Sequence, residues 1–251
     1  VMAVTGNRTQ GPDEVHQEIP DPATAWWSVA PGRGEFRGEP VPDVSDGEAA
    51  VRTLYTGVSR GTESLVARGE VPTSERERMR APFQAGDFPF PVKYGYLNVG
   101  TVERGPAALF GRTVFSLFPH QSRFVVPADA LHPVPESVPA RGAVLAGGVE
   151  SAVNVLWDAA PLVGDRVVVV GAGMVGCAIA RLARSIPGSD VTLVDVDPAR
   201  AATAEALGVG FALATEEIAP ADVVIEASGA GAGLQLALGL APTDGEVIVA
   251  S

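Results

Sequence analysis

The feature that most constrains this sequence is a glycine turn between a run of valines and an apolar helix. Val167–Val170 are four consecutive β-branched residues, as is typical of a strand buried on both faces. The motif GAGMVG follows at residues 171–176, and an Ala-, Ile- and Leu-rich helix is predicted from there to about Arg184. A strand, a turn and a helix in this order predict the first unit of a parallel sheet with helical crossovers.

Each glycine of this turn has a steric reason to be glycine. Gly171 permits the tight turn, Gly173 lets a pyrophosphate approach the backbone, and Gly176 lets the helix pack closely on the strand. The helix N-terminus adds unpaired N–H groups and a partial positive charge. The motif therefore predicts dinucleotide binding, unless the glycines only shape a turn. The predicted contacts are Gly171, Gly173, Met174, Val175 and Gly176.

The second element of the predicted nucleotide site is Asp195, which ends the next predicted strand 19 residues after Gly176. A carboxylate there can accept hydrogen bonds from ribose hydroxyls and would repel a 2′-phosphate. We therefore predict NAD(H) in preference to NADP(H), although Arg200 lies close enough to complicate this preference. The alternative is that Asp195 only caps the following helix. Arg200 and Ser228 complete the predicted cofactor-binding residues.

Strands and helices alternate through the rest of the C-terminal half, which predicts an α/β fold with a doubly wound parallel sheet of about five strands. The further predicted strands are Asp190–Val194, Phe211–Ala214, Val223–Glu226 and Glu246–Ala250. The further predicted helices are Ala143–Trp157, Pro198–Leu207 and Leu234–Leu240.

The N-terminal half predicts a different, β-rich module, because short β-like runs alternate with turn residues from Ala25 to about Pro139. Residues 1–22 are polar and predict a flexible arm, and residues 70–92 predict a long surface loop with a short helical piece. The predicted strands include Glu48–Tyr55, Asn98–Glu103, Thr113–Phe118 and Ser122–Pro127.

Composition excludes several classes of protein. The net charge of −12 argues against sequence-independent binding to nucleic acid. The single cysteine, Cys177, excludes an intramolecular disulfide and a Cys-rich structural zinc site, and we expect it to pack in the core. No apolar run reaches the roughly 18 to 20 residues that span a bilayer. We therefore expect a soluble, cytoplasmic protein without nucleic-acid or membrane partners.

The order of a β-rich module and a Rossmann unit resembles the medium-chain dehydrogenase/reductase superfamily, which contains zinc alcohol dehydrogenases and quinone reductases. The phrases GEAAVRTLYTGVSRGTES, YGYLNVGTV, FVVPADALHPVPESVP and VGDRVVVVGAGMVG carry this resemblance. GVSRGTE, VKYGYLNVG and LFPHQSRFVVP are most similar to the bacteriochlorophyllide dehydrogenase-like branch. The resemblance implies a GroES-like substrate domain at residues 23–140 and a Rossmann domain at residues 141–251.

Zinc-dependent relatives carry a catalytic Cys and a His where this sequence has Ser59 and Tyr96. Glu150 is a loose match to their third ligand and is expected to be buried near the cleft. Since a catalytic zinc needs three protein ligands, the departures predict a zinc-independent enzyme. The competing interpretation is a zinc enzyme with unusual ligands.

Without a metal, hydroxyl donors would have to stabilise a developing alkoxide. The resemblance implies catalytic candidates at Ser59, Thr62, Tyr96 and His120. Turn capping is the alternative for Ser59 and Thr62, and core packing is the alternative for Tyr96. Arg60 is expected near the pyrophosphate, or else in a surface salt bridge, and Glu63 is expected to hold a backbone turn rather than act as a base.

Family chains continue beyond the fifth Rossmann strand, whereas this sequence stops at Ser251, so we expect a C-terminally shortened Rossmann domain. The resemblance implies an NAD(H)-dependent oxidoreductase acting on an alcohol, carbonyl or enone substrate, with a place in secondary metabolism. The substrate is expected to be large and hydrophobic, and a homodimer is the assembly to test. The alternative is a non-catalytic nucleotide-binding protein derived from a dehydrogenase.

Overall fold

The computed structural model describes residues 22–243 and 245–250 of the chain. The predicted N-terminal arm at residues 1–22 lies outside the described residues, except for Pro22. Within the described part, the fold is mixed α/β, with antiparallel sheets in the N-terminal half and one parallel sheet in the C-terminal half. The predicted fold class is therefore confirmed.

From residue 22 to Ala143, the structure describes nine strands and two α-helices in the N-terminal half. Its strands are β1 (Ala23–Ala30), β2 (Arg33–Glu39), β3 (Glu48–Thr56), β4 (Ala85–Gly86), β5 (Val92–Lys93), β6 (Asn98–Arg104), β7 (Thr113–Ser116), β8 (Arg123–Pro127) and β9 (His132–Pro133). Its helices are α1 (Arg60–Arg68) and α2 (Ala140–Ala143).

These strands form two antiparallel sheets, in the orders β2-β1-β5-β4 and β8-β3-β6-β7-β9. The second sheet buries the inward residues of its strands around one apolar cluster, which includes Val51, Val102, Val114 and Phe124. Alternate residues of a strand point to opposite faces, so this cluster lies on one side of the sheet. The four strands predicted in this half are all present, with ends that differ by one or two residues.

Two features of the N-terminal half differ from the prediction. Helix α1 was not predicted, because Arg60–Arg68 carries only a short apolar face, of which Val66 is the buried residue. The segment predicted as a surface loop contains the strands β4 and β5, and it buries Ala81, Phe88 and Val92. Its charged residues suggested full exposure, but the apolar residues between them pack into a common cluster with Val66 of α1.

The C-terminal half alternates strands and helices as predicted. Its strands are β10 (Arg166–Val170), β11 (Asp190–Asp195), β12 (Gly210–Leu213), β13 (Val223–Glu226) and β14 (Val247–Val249). Its helices are α3 (Ala146–Ala159), α4 (Met174–Ala183), α5 (Ala201–Leu207) and α6 (Gly231–Leu240). All neighbouring strands are parallel, in the order β12-β11-β10-β13-β14.

Strand β10 is buried on both faces, which is why a run of valines is tolerated there. Val167 and Val169 pack with Ile179 of α4 on one face of the sheet. Val168 and Val170 pack on the other face, in a cluster that includes residues of α6. The burial on both faces that was predicted for Val167–Val170 is confirmed, and β10 pairs with both β11 and β13.

The helices differ from their predicted ranges at two places. The helix predicted from Ala143 to Trp157 is α3, which begins three residues later and ends two residues later than predicted, and the short helix α2 before it, which packs on β3 and β6, was not predicted. The segment Pro198–Leu207 begins with one 3₁₀ turn before α5. In the part of the chain that the structure describes, no helix is long and apolar enough to cross a membrane.

We predict that Leu193→Ala destabilises the protein by about 2–5 kcal/mol, because this fully buried side chain would leave a cavity between the sheet and its helices. Urea unfolding followed by circular dichroism measures the change. Leu162→Ala is the matched control, since Leu162 is 70% exposed and its truncation should alter stability by less than about 0.5 kcal/mol. Equal losses in the two variants would contradict the assigned core.

Candidate functional site

The glycine turn lies at the carboxyl end of β10, where the chain enters α4. Gly171 has a φ of 106°, and a Cβ there would lie 2.6 Å from the backbone nitrogen of Ser228. A Cβ on Gly176 would lie 1.9 Å from the carbonyl oxygen of Gly171. Both positions therefore require glycine, and the steric roles predicted for them are confirmed.

Gly173 differs from its neighbours because the space around it is open. It is exposed, it precedes the first turn of α4, and a Cβ built on it meets no atom within 4 Å. The turn thus leaves room for a ligand at the end of the helix where backbone N–H groups are free of helical partners. This geometry fits a pyrophosphate, although contact with one stays a prediction.

The side chains of Met174 and Val175 are used for packing. Val175 packs against the cluster beneath the sheet, and Met174 packs against a cluster of the N-terminal half. What these two residues can offer a nucleotide is therefore their backbone N–H groups. Cys177 also packs against the cluster beneath the sheet, and burial raises the pKa of its thiol, so it is the packing residue that the sequence predicted.

Asp195 ties the end of β11 to the glycine turn. Its Oδ2 accepts a hydrogen bond from the N–H of Ala172 at 2.7 Å, and its Oδ1 accepts one from the N–H of Asp197 at 3.0 Å. The helix cap is made by Asp197, whose carboxylate accepts from the N–H of Ala199. The alternative that Asp195 only caps the next helix is therefore wrong. Arg200 lies 3.5 Å from the carboxylate of Asp197.

Ser228 shapes the loop that covers the glycine turn. Its N–H donates to Oε1 of Glu226 at 2.7 Å, its hydroxyl donates to the same oxygen, and its Oγ accepts from the N–H of Ala230. Sequence reasoning missed Glu226, which is only 2% exposed at the end of β13. The sequence feature that could have revealed this residue is a carboxylate at the last position of an apolar strand, in the segment VVIEASG.

The two halves of the chain meet beside the glycine turn. Tyr96, Val144 and Met174 all pack against one buried cluster that contains Leu97 and Ala143. The cluster connects the first turn of α4 with the strand segment that precedes β6. Tyr96, predicted as a catalytic hydroxyl, is thus half-buried at this junction, where its ring also lies edge-on to Tyr94.

His120 and Glu63 form a hydrogen-bonded contact that the sequence did not predict. Nε2 of His120 lies 2.7 Å from Oε2 of Glu63, and both side chains are largely buried. The other carboxylate oxygen, Oε1, accepts from the N–H of Ser59 at 2.8 Å. Glu63 therefore holds the turn before α1, as predicted, and in addition orients His120.

A cavity of about 490 Å³ lies beside this pair and is lined mainly by apolar side chains. Burial and the neighbouring Tyr96 and Glu63 raise the pKa of Tyr94, which keeps its hydroxyl protonated and donating to the carbonyl of Met79 at 2.8 Å. His120 lines the cavity, whereas Ser59, Thr62 and Tyr96 do not. The lining residues include Trp26, Phe36, Val58, Val66 and Tyr94.

The remaining predicted residues of α1 lie outside this cavity. Ser59 occupies the N-cap position, but its side chain makes no capping hydrogen bond, so the capping alternative for Ser59 is wrong. Thr62 is half-buried in the first turn. Arg60 is exposed, and no ion pair to it is present among residues 22–243 and 245–250.

Ser59, Tyr96 and Glu150 occupy the three positions that match zinc ligands in the family that the sequence resembles. Glu150 is exposed, contrary to the expectation that it is buried near the cleft. Helix α3 buries the face that carries Gly148 and Ala152, and residue 150 lies on the opposite side. Within the described ranges, no group of three or more His, Cys, Asp or Glu residues is arranged to hold a metal. These donors do not fit a catalytic zinc, which needs three protein ligands.

Comparison with solved structures shows a similar fold over most of the chain. The protein is similar to a putative zinc-binding dehydrogenase from Clostridium scindens, with a TM-score of 0.75 and 18% identity over 90% of this chain and 76% of that one. It is similar to an alcohol dehydrogenase from Escherichia coli complexed with NADH, with a TM-score of 0.73 and 19% identity over 90% of this chain and 75% of that one.

A third similar structure is the quinone oxidoreductase from Thermus thermophilus, solved also with NADPH. Its TM-score is 0.66 at 26% identity, over 89% of this chain and 72% of that one. No protein-family model matches the sequence. The chain has the fold of the medium-chain dehydrogenases/reductases, as the sequence resemblance implied. Its similarity to the bacteriochlorophyllide dehydrogenase-like branch stays a prediction.

The three-glycine turn gives a prediction that separates folding from binding. Gly176→Ala places a methyl group against the Gly171 carbonyl and should cost at least about 1–3 kcal/mol of stability. Gly173→Ala meets open space, so we expect a stability change of less than about 1 kcal/mol but weakened NADH binding. Urea unfolding and calorimetry measure the two effects. Unchanged NADH affinity in Gly173→Ala would show that no phosphate approaches this residue.

Proposed function

We propose that the protein is an NAD(H)-dependent oxidoreductase that interconverts an alcohol and a carbonyl, or reduces an enone. The observation that carries the proposal is the turn at residues 171–176, open at Gly173 and tied by Ala172 to the carboxylate of Asp195. The similar proteins from Escherichia coli and Thermus thermophilus are solved with NADH and NADPH, which supports a nicotinamide cofactor.

The residues present fit such a cofactor in two ways. Backbone N–H groups at the start of α4 would hold the phosphates, and the carboxylate of Asp195 would accept from the ribose hydroxyls. When bound, the nicotinamide supplies or takes up the hydride. The negative charge of Asp195 disfavours a 2′-phosphate, and this supports NAD(H) over NADP(H) as part of the proposal.

Zinc independence is a further part of the proposal. It is supported by Ser59 at the matched cysteine position, by Tyr96 at the matched histidine position and by the outward direction of Glu150. In place of a metal, the protein offers the hydroxyl of Tyr96 at the junction of the two halves and the oriented imidazole of His120. A hydroxyl donor stabilises a developing alkoxide, and an imidazole moves the proton.

The proposal also includes a large hydrophobic substrate, a place in secondary metabolism, a cytoplasmic location and a homodimer. The apolar cavity beside His120 supports the large hydrophobic substrate. The single cysteine accords with a reducing compartment. The acidic net charge supports the expectation that nucleic acid is not a partner.

A non-catalytic nucleotide-binding protein is the second candidate. One observation favours it: the predicted catalytic hydroxyls of Ser59, Thr62 and Tyr96 do not line the cavity that contains His120. The two candidates share the nucleotide site and differ in turnover.

Calorimetric titration with NADH and with NADPH tests the cofactor assignment. We expect tighter binding of NADH, and we expect Asp195→Asn to raise its Kd by about 10-fold or more, since hydrogen bonds to a charged group are strong. Asp197→Asn is the matched control, because an Asn at this position still caps the helix and the affinity should stay within about 2-fold. A wild-type preference for NADPH would contradict the role given to Asp195.

Turnover separates the two candidate functions. We expect NADH to be oxidised in the presence of at least one member of a panel of apolar ketones and enones, with the rate followed by NADH absorbance. His120→Phe should lower kcat by about 100-fold or more while leaving the Kd for NADH unchanged, because it removes the proton-carrying group outside the nucleotide site. Tight NADH binding without turnover of any substrate would favour the non-catalytic candidate.

A further inference from the structure

The cavity beside His120 is lined by residues of the N-terminal half alone, none of which belongs to the glycine turn. At its rim, Trp26 is 38% exposed and Phe36 is 73% exposed, and their rings meet edge to face with centroids 5.1 Å apart. The volume of about 490 Å³ is typical of sites for small organic molecules. Exposed aromatic rings at the mouth of such a cavity provide a surface on which a flat apolar ligand can lie.

The polar chemistry of the cavity is set by the hydrogen bonds of Glu63. Both carboxylate oxygens are engaged, Oε1 by the N–H of Ser59 and Oε2 by Nε2 of His120. An ionised carboxylate only accepts, so in the neutral imidazole the proton is on Nε2 and the lone pair is on Nδ1.

Nε2 of His120 is occupied by Glu63, and Nδ1 is the second nitrogen of this cavity-lining ring. The edge formed by Cδ2 and Nε2 lies against Gly95, where a Cβ would come within 2.9 Å of both atoms. Gly95 has a φ of 121°, so the backbone conformation and the contact both require glycine there. Nδ1 is on the other edge of the ring, and no hydrogen bond to it is formed within the part of the chain that the structure describes.

We propose that this cavity binds an aromatic molecule carrying a hydroxyl group, which donates a hydrogen bond to Nδ1 of His120 while its ring packs against Trp26 and Phe36. The carboxylate of Glu63 lies 2.7 Å from the same imidazole ring, so an anionic ligand is disfavoured. This binding step requires neither the nucleotide site nor hydride transfer.

Two probes that differ only in hydrogen-bonding capacity test the proposal. 2-Naphthol can donate a hydrogen bond, whereas 2-methoxynaphthalene has the same ring system and can only accept. In calorimetric titrations without nucleotide, we expect the wild-type protein to bind 2-naphthol about 3- to 10-fold more tightly, as one net hydrogen bond allows. Equal affinities, or no binding of either probe, would overturn the proposal.

The variant Glu63→Gln reverses the polarity of Nδ1. The amide oxygen must stay on the N–H of Ser59, because an amide NH₂ there would face another donor, so the NH₂ group faces Nε2 of His120. The imidazole proton then moves to Nδ1, and the preference for 2-naphthol should fall to within about 2-fold. Ring ¹⁵N NMR follows the tautomer directly, since the chain has only three histidines, His16, His120 and His132.

Two further variants complete the test. Glu70→Gln changes an exposed carboxylate paired with Arg68 and should alter neither the probe preference nor the tautomer of His120. Phe36→Ala removes an exposed ring and should weaken both probes together, leaving their ratio unchanged. If Glu63→Gln does not fold, Phe36→Ala still tests whether the probes bind in this cavity. Unchanged affinity of Phe36→Ala for both probes would show that they bind elsewhere and would overturn the proposal.

The two proposals can fail separately. Probe preference without NADH binding would leave the cavity assignment intact and remove the oxidoreductase. NADH binding without a preference for 2-naphthol would overturn the cavity assignment and leave the proposed oxidoreductase intact. A preference that persists in Glu63→Gln, although NMR shows the switched tautomer, would also overturn the role given to Nδ1.

Discussion

The burial of β10 on both faces is the constraint on which the C-terminal half depends. A strand with apolar side chains on both sides needs a helical layer above and below it, and α4 and α6 provide these layers. The chain must then pass from the end of β10 into α4 through a very tight turn. The contact between Gly176 and the carbonyl of Gly171 exists because α4 lies this close to the strand. The open space at Gly173 lies in the turn that this close packing imposes.

Much of this half could be predicted because its signals are local. A valine run, a glycine turn and a carboxylate at the end of the next strand lie within about 30 residues, the length of one βαβ unit. The N-terminal half was harder to predict. Helix α1 and the buried residues Ala81 and Phe88 depend on one another across the fold, and their own sequence windows are polar. The short helix α2 likewise depends on its packing against β3 and β6, which its own four residues do not indicate.

The site shows the same distinction between local and distant information. The steric roles of Gly171 and Gly176 could be predicted from spacing alone, whereas the pairing of Glu63 with His120 joins residues far apart in sequence. That Asp197 rather than Asp195 caps the following helix could not be decided until their hydrogen bonds were seen. Glu226 escaped notice because a single carboxylate at a strand end resembles any exposed charge, and only its burial beneath Ser228 distinguishes it.

The packing of Met174 limits how far this protein can be treated as two interchangeable modules. The residue belongs by sequence to the glycine turn, but its side chain completes an apolar cluster of the other half, beside Leu97 and Val144. A chimera that replaced the Rossmann half with one from another protein would therefore also remove a piece of the N-terminal core. Exchange of modules here requires a compatible side chain at this position, so the two halves have to change together during evolution.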